Sequence, residues 1–165
     1  MTYIGIDNGV SGAIAVLTSY GALVDWAPMP VARARKGNEI DVCTFWRWVD
    51  NATGGKTGEG DAVFVLEEPG GSKSARAAAS MAASFGALRA VLAIKQTRWH
   101  RVTPQAWQRV LLPGCKKGES KARAIEAAGR LWPNESWRAT ERCSTAHDGG
   151  IDAALIAEYG RRAGL

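Results

Sequence analysis

Short apolar runs alternate with glycine-rich turns in the first part of this chain of 165 residues. The runs at residues 3–6, 13–17 and 62–66 are partly β-branched and uncharged, which is typical of strands buried on both faces. Residues 21–28 and 97–102 have the length and composition of two more polar strands. Turn residues join the strands at 3–6, 13–17 and 21–28 as successive hairpins. The pattern as a whole predicts five strands.

Apolar residues recur at helical spacing in the rest of the chain. Capping residues, or proline in the first turn, mark the predicted helix starts at Asp41, Ser74, Thr103-Pro104, Ser120 and Asp148. The side chains predicted to face the core are Val42, Phe45, Trp46, Val49, Met81, Phe85, Leu88, Leu92, Trp107, Val110, Leu111, Ile125, Ala128, Trp132, Ile151, Leu155 and Tyr159. This order of elements predicts one α/β domain over residues 1–165.

Two connections have no periodic pattern. Residues 33–37 are predicted to form a basic, mobile loop, and residues 51–61 a polar, glycine-rich linker within the domain. The linker contains Gly55-Lys56-Thr57, a fragment of a phosphate-binding loop. The complete motif needs a further glycine upstream, directly after a strand, so no phosphate loop is expected here.

Charge and cysteine content narrow the class of protein. The net charge of +5 and the pI of about 9.4 favour a polyanionic partner. Cys43, Cys115 and Cys143 are odd in number and widely spaced, so they suggest neither a metal site nor a disulfide framework. With no signal-peptide pattern and no uninterrupted apolar run near the roughly 20 residues that span a bilayer, we expect a cytoplasmic protein without a membrane partner.

Acidic residues stand where buried elements end or begin. Asp7 follows the first strand and Glu67 the fourth, while Asp148 and Asp152 are spaced i, i+4 on one face of the last helix. Asp7 can also be interpreted as a turn residue and Asp148 as a helix cap. Neither interpretation accounts for Asp152, which has apolar neighbours.

If these four carboxylates converge, their oxygens suit Mg²⁺, with Mn²⁺ as a substitute. Four carboxylates can hold two ions, the arrangement used for phosphodiester cleavage. Setting them aside raises the net charge of the remaining chain from +5 to +9. A basic body around an acidic pocket predicts a nuclease, because the body binds the nucleic-acid backbone and the pocket cuts it.

Five short motifs occur in order along the chain: Ile-Gly-Ile-Asp-Asn-Gly at 4–9, Val-Leu-Glu at 65–67, Val-Thr-Pro-Gln-Ala-Trp at 102–107, Lys121, and Asp-Gly-Gly-Ile-Asp-Ala at 148–153. Together they resemble the RuvC-like Holliday junction resolvases of the RNase H superfamily, in particular the short phage-type branch. The resemblance implies an RNase H-like fold with a five-stranded mixed sheet flanked by helices. It also implies a homodimer in a bacterial or phage-infected cell that makes paired nicks in four-way DNA junctions.

The resemblance assigns roles to individual residues. Asp7, Glu67, Asp148 and Asp152 match the acids expected to bind two Mg²⁺ ions and to be catalytic. The residues expected to contact DNA phosphates are Lys116, Lys117, Lys121, Arg98, Arg101 and Arg109.

The sequence departs from the family pattern at three places. Gln108 stands where members often have lysine, so Arg109 or Lys116 is expected to replace that phosphate contact. Gly149 stands where cellular members often have histidine, three residues before the last aspartate. The loop at residues 68–72 lacks the aromatic residue that opens the junction in cellular members.

Other functions are compatible with parts of the pattern. A ribonuclease H or an exonuclease would use the same acids, and an inactive nucleic-acid-binding module would share the fold. Residues 4–9 also resemble the first phosphate-binding strand of sugar kinases and actin-like ATPases. Those proteins need a second such hairpin, which the sequence does not contain.

The alanine-rich helix that begins at Ser74 is the predicted dimer interface. Two nicks on opposing strands call for two active sites related by a two-fold axis. Small residues on this helix permit close approach of a partner helix, and Met81, Phe85 and Leu88 form an apolar stripe. The alternative is that this stripe covers the sheet of its own chain.

Overall fold

The computed structural model describes residues 1–35, 37–58, 60–71, 74–116 and 118–165. Its strands in chain order are β1 (Thr2–Asp7), β2 (Ala13–Thr18), β3 (Leu23–Pro28), β4 (Val31–Ala34), β5 (Gly37–Ile40), β6 (Ala62–Glu67) and β7 (Arg98–Val102). Five of them form one sheet in the order β3-β2-β1-β6-β7. β1 lies at the centre, antiparallel to β2 and parallel to β6, which is in turn parallel to β7.

Helices cover both faces of this sheet. They are α1 (Val42–Thr53), α2 (Ala75–Ile94), α3 (Pro104–Leu111), α4 (Ser120–Leu131) and α5 (Asp148–Ala163). Tyr3 on β1 packs in the cluster formed with α3, α4 and α5, whereas Ile4 and Ile6 pack in the cluster formed with α1 and α2. The central strands are therefore buried on both faces, as their apolar runs predict, and the predicted mixed α/β sheet is confirmed.

Local capping explains where most helices begin. The side chains of Asp41, Ser74 and Thr103 accept hydrogen bonds from backbone N–H groups in the first turns of α1, α2 and α3. At α5 the capping residue is His147, whose Nδ1 accepts from the Gly150 N–H at 3.0 Å. Asp148 is thus the first residue of the helix and leaves the capping role to its neighbour.

The basic segment predicted to be a loop is a β-hairpin. β4 and β5 form a separate two-stranded antiparallel sheet in which Arg33 lies opposite Asn38. The Asp41 N–H donates to the Pro30 carbonyl and closes the base of the hairpin. These strands have four residues each and few apolar positions, so the sequence pattern could not distinguish them from a loop. Lys36 lies outside the described residues.

α2 covers the sheet along one stripe only. Ser84, Leu88 and Leu92 are buried, and Phe85 packs partly against the same cluster. By length and composition alone this helix could cross a membrane, although the expectation concerned uninterrupted apolar runs. Arg76 and Arg89 interrupt its apolar run. Leu88 and Leu92 pack against the sheet, so in this fold α2 is an outer layer of the domain.

Several predicted core positions and boundaries are wrong. Val110 and Ile125 are 47% and 48% exposed, because α3 buries the face of Trp107 and α4 the face of Ala124 and Ala128. Residues 51–53, predicted to belong to the linker, form the last turn of α1. Segment 137–145 contains no helix or strand, as predicted, yet Trp137 is buried.

Candidate active site

Two carboxylates leave the sheet side by side. Asp7 ends β1 and Glu67 ends β6, and these parallel neighbours are in register, with Ile6 opposite Leu66. The carboxyl groups of Asp7 and Glu67 lie close enough to share a hydrogen bond. The carboxyl ends of adjacent parallel strands therefore bring together two acids that are 60 positions apart in sequence.

α5 brings further acids to the same edge. The helix packs so closely on β1 that a Cβ at Gly5 would collide with the Ala153 carbonyl oxygen. A Cβ at Gly149 would lie 2.9 Å from Asp7 Oδ2. Glycine at these two positions permits the approach and places Asp152 beside Asp7 and Glu67, where their charges interact.

Burial and mutual repulsion favour the protonated forms of these acids. Burial raises the pKa of Asp7 well above its ordinary value, and the charges of Glu67 and Asp152 add to the shift. Burial also raises the pKa of Glu67, although hydrogen bonds from Trp107 and Asp7 oppose the rise. The pKa of Asp152 rises to about 7, first through burial and then through the charges of Glu67 and Asp148. A cation that enters this site therefore stabilises it, because it compensates the negative charges of the carboxylates.

Trp107 fixes the orientation of Glu67. Its indole Nε1 donates to Glu67 Oε1 at 2.7 Å, and the ring is almost completely buried. Thr103 caps α3, and Pro104 stands in its first turn, so the start of this helix is firmly defined next to β7. The backbone of Glu68 is held as well, because its N–H donates to the Val102 carbonyl.

Asp148 has a different environment from the other three acids. Its side chain is 49% exposed, and Lys121 Nζ on α4 lies 2.5 Å from its Oδ2. Asp152 is much more buried than Asp148, and Lys121 affects the pKa of Asp152 only through its charge. Within the described ranges, no group of three His, Cys, Asp or Glu side chains is already arranged to hold a metal ion.

Predicted phosphate contacts divide into two groups. Arg109 and Lys116 line a cavity of about 470 Å³ between the end of α3 and the start of α4, together with Gln108. Lys121 is the second residue of α4. The structure thus brings together the two residues expected to replace the family lysine, on the side of the site where Lys121 meets Asp148.

The other predicted contacts are less favourably placed. Arg101 Nε lies 3.3 Å from Glu68 Oε1, so its charge is partly compensated. Arg98 pairs with Val63 in the sheet, at the end opposite to Glu67, and is not brought to the site. Lys117 lies outside the described residues.

Sequence reasoning missed how two residues shape the site. Trp107 was assigned to the core, and only the tertiary structure reveals its hydrogen bond to Glu67. Gly149 was noted only as a departure, although its missing side chain leaves room for Asp7. The double glycine between two aspartates was the available signal, since two glycines early in a helix cost stability unless packing requires them.

Comparison with solved structures decides the fold. Thermus thermophilus RuvC in complex with a Holliday junction substrate superposes with a TM-score of 0.61, covering 99% of this chain and 96% of that chain at 16% identity. The chain has the RuvC fold. A second structure of Thermus thermophilus RuvC gives a TM-score of 0.55 at 16% identity, covering 99% and 97% of the two chains. No family model and no curated protein matches the sequence.

In this chain the four acids lie on the central strand, on its parallel neighbour and on the C-terminal helix. The two superpositions span nearly the whole of both chains, so the RuvC fold accounts for the entire domain. At 16% identity the likeness establishes the architecture of this chain, whereas the chemistry of the site depends on its own residues.

Proposed function

We propose that this protein is a metal-dependent endodeoxyribonuclease that resolves four-way DNA junctions by paired nicks. The observation that carries the proposal is the convergence of Asp7, Glu67 and Asp152 at one edge of the sheet, where burial raises the pKa of all three carboxyls and the charges of neighbouring acids add to the rise at Asp7 and Asp152. Such a cluster of carboxylates is costly without a cation. In a RuvC fold whose other residues carry a net positive charge, phosphodiester hydrolysis is the activity that best accounts for this cluster of carboxylates.

The donor set fits divalent metal ions. All four side chains offer oxygen, which Mg²⁺ and Mn²⁺ prefer, and glycine at position 149 avoids a side chain that would lie 2.9 Å from Asp7 Oδ2. Asp7, Glu67, Asp148 and Asp152 would hold two ions. When bound, such ions lower the pKa of water toward neutrality and stabilise the leaving oxygen.

The residues around the acids orient the carboxylates and bind the DNA backbone. Trp107 holds Glu67 through its indole N–H, and Lys121 holds Asp148. Both contacts keep carboxylate oxygens oriented before substrate arrives, which lowers the cost of assembling the site. Arg109 and Lys116 supply positive charge next to the start of α4 and bind phosphates that flank the cut bond.

Junction resolution calls for two copies of the site, so we propose a homodimer built on α2. Leu88 packs against the sheet of its own chain, Phe85 packs partly against the same cluster, and Met81 shares their helical spacing. The interface therefore rests on the opposite face, whose small residues are exposed: Ala75, Ala79, Ala82, Gly86, Ala90 and Ala93. These positions follow helical spacing, and a Cβ at Gly86 would meet nothing within 4 Å, so a second helix can approach closely.

The deciding experiment compares three substrates with Mg²⁺: a synthetic four-way junction, a linear duplex of the same sequence and an RNA–DNA hybrid. We expect symmetric paired nicks in the junction and little cutting of the other two. Preferred cutting of the hybrid would instead identify a ribonuclease H, and degradation from ends an exonuclease.

Asp7→Asn is the matched variant for this experiment. It removes one carboxylate without adding bulk, so we expect cutting to be lost while junction binding persists, since a polyanion binds no worse when a negative charge is removed. Near-wild-type turnover of Asp7→Asn would contradict the assigned role of Asp7.

A further inference from the structure

The β4–β5 hairpin carries positive charge that the proposed active site does not use. Arg33 and Arg35 are exposed, and Arg76 is exposed across from the hairpin on α2. Within the described part of the chain none of the three forms an ion pair. Arg33 and Arg35 belong to the hairpin and Arg76 to the helix beside it, so these neighbouring elements present three guanidinium groups suited to an anionic partner.

A groove of about 920 Å³ lies between the β4–β5 hairpin and α2. One wall consists of β5, including Asn38 and Glu39, and the other of α2, including Arg76 and Ser80. Asn38 is the cross-strand partner of Arg33, which places that arginine at the rim. Glu39 is the only acidic group among the described lining residues, so the positive charge around the groove exceeds the negative.

The groove begins at the catalytic edge of the sheet. Val10 lines it and lies in the turn that follows Asp7. Asn8, the residue between Asp7 and that turn, donates its side-chain N–H to the Met81 carbonyl and so attaches the turn to α2. On the other side, the Met29 N–H donates to the Gly12 carbonyl, and the chain enters the hairpin from there. The same turn therefore borders both the acids and the groove.

We propose that this groove binds the sugar–phosphate backbone of a DNA arm that runs beyond the cleavage point, with Arg33, Arg35 and Arg76 as the phosphate contacts. The proposal rests on the proposed function, because it assigns to the same DNA substrate a second surface on the side of Asp7 away from Lys121. Contacts at distance from the cut bond orient the substrate and leave the chemical step unchanged.

The test measures how junction affinity depends on salt. Each phosphate contact contributes roughly 0.9 to the slope of log affinity against log salt concentration. We expect Arg33→Gln/Arg35→Gln to reduce the slope by about 2 and Arg76→Gln by about 1, with affinity about 10-fold lower at moderate salt. Cleavage at saturating enzyme should remain at the wild-type rate. Arg130→Gln is the matched control, because Glu126 already pairs with Arg130, and its slope should not change.

A second measurement varies the substrate. Shortening the junction arms until they cannot reach the groove should lower wild-type affinity and abolish the difference between wild type and the hairpin variant. Wild-type slopes for both groove variants would overturn the proposal, as would a change from dimer to monomer in sedimentation, which would assign the groove to the subunit interface.

The outcome separates this inference from the proposed function. If the wild type cuts linear duplex or hybrid rather than junctions and the groove variants still lower the salt slope, the junction function fails and the groove stands. If the wild type resolves junctions and both groove variants keep its slope, the groove proposal fails alone.

Discussion

The indole Nε1 of Trp107 donates to Glu67 Oε1 at 2.7 Å, linking the first helix after the sheet to a catalytic candidate 40 positions earlier. The bond satisfies a buried donor and fixes one oxygen of the Glu67 carboxyl, which also shares a hydrogen bond with the Asp7 carboxyl. A carboxylate fixed in this way keeps its orientation when a metal or substrate binds, as ligands to metals generally need.

Trp107→Phe tests this relationship, because it keeps an aromatic ring in the core and removes the donor. We expect cleavage, measured at fixed Mg²⁺, to fall about 10- to 100-fold and the Mg²⁺ concentration for half-maximal rate to rise. Trp132→Phe is the matched control, since Trp132 Nε1 donates to the Gly21 carbonyl at the far end of the β2–β3 hairpin. Equal effects of the two substitutions on the Mg²⁺ requirement would contradict a positioning role.

Asp7→Asn should stabilise the metal-free protein while it destroys activity. Asp7 is buried and repelled by Glu67 and Asp152, so a neutral isostere relieves both costs in EDTA at pH 8. A gain of about 1 kcal/mol raises the melting temperature by roughly 2–4 °C in a chain of this size. Asp50→Asn, at an exposed position on α1, should give no gain. A lower melting temperature for Asp7→Asn would show that the carboxylate is not under electrostatic stress.

The pKa of Asp152 predicts how stability depends on pH in the absence of metal. Its ordinary value is 3.8 and its value in the folded protein is about 7, so the folded state binds this proton more tightly than the unfolded state does. Stability from this group is present at low pH and is lost as the pH rises between these two values. In EDTA, the wild type should therefore lose stability over this interval relative to Asp152→Asn, as measured by thermal melts from pH 4 to 8.

Metal should reverse this trend, because a bound cation favours the charged carboxylate. At subsaturating Mg²⁺, we expect the Mg²⁺ concentration that gives half-maximal cleavage to fall as the pH rises toward about 7, since the ion must displace the proton of Asp152. A Mg²⁺ requirement that is the same at pH 6 and pH 8 would contradict the assignment of Asp152 to the metal site.

Ala79→Glu should produce a monomer if the small-residue face of α2 is the interface. Glutamate on this exposed face would place two like charges and extra bulk where the helices meet. The monomer should bind junctions weakly and nick one strand without resolving the junction, as sedimentation and native gels would measure. Ala83→Glu tests the border of the face, because Ala83 also lines the groove beside the hairpin.

Ala122→Glu on α4 provides the control, since Ala122 is exposed on a helix outside the proposed interface. It should remain dimeric and active. If Ala79→Glu sediments as a dimer as well, the interface lies on another surface.

Local sequence pattern is enough to predict the sheet and the strand ends at which Asp7 and Glu67 stand. Apolar runs end at Ile6 and Leu66, and the next residue in each case is acidic. Because parallel neighbouring strands end at one edge of a sheet, Asp7 and Glu67 had to meet once the strands paired. Helix starts at Asp41, Ser74 and Thr103 were also predictable, since capping depends on hydrogen bonds within the first turn.

The tertiary structure decided what depends on contacts between distant segments. Trp107 could have been an ordinary core residue, and its bond to Glu67 exists only because α3 packs beside β6. Local pattern does not distinguish the short polar strands of the β4–β5 hairpin from a loop, because their pairing depends on each other and on α2. Gly149 is required by the close approach of α5 to Asp7. Local periodicity specifies elements and their ends, whereas close packing between elements determines which side chains share a site.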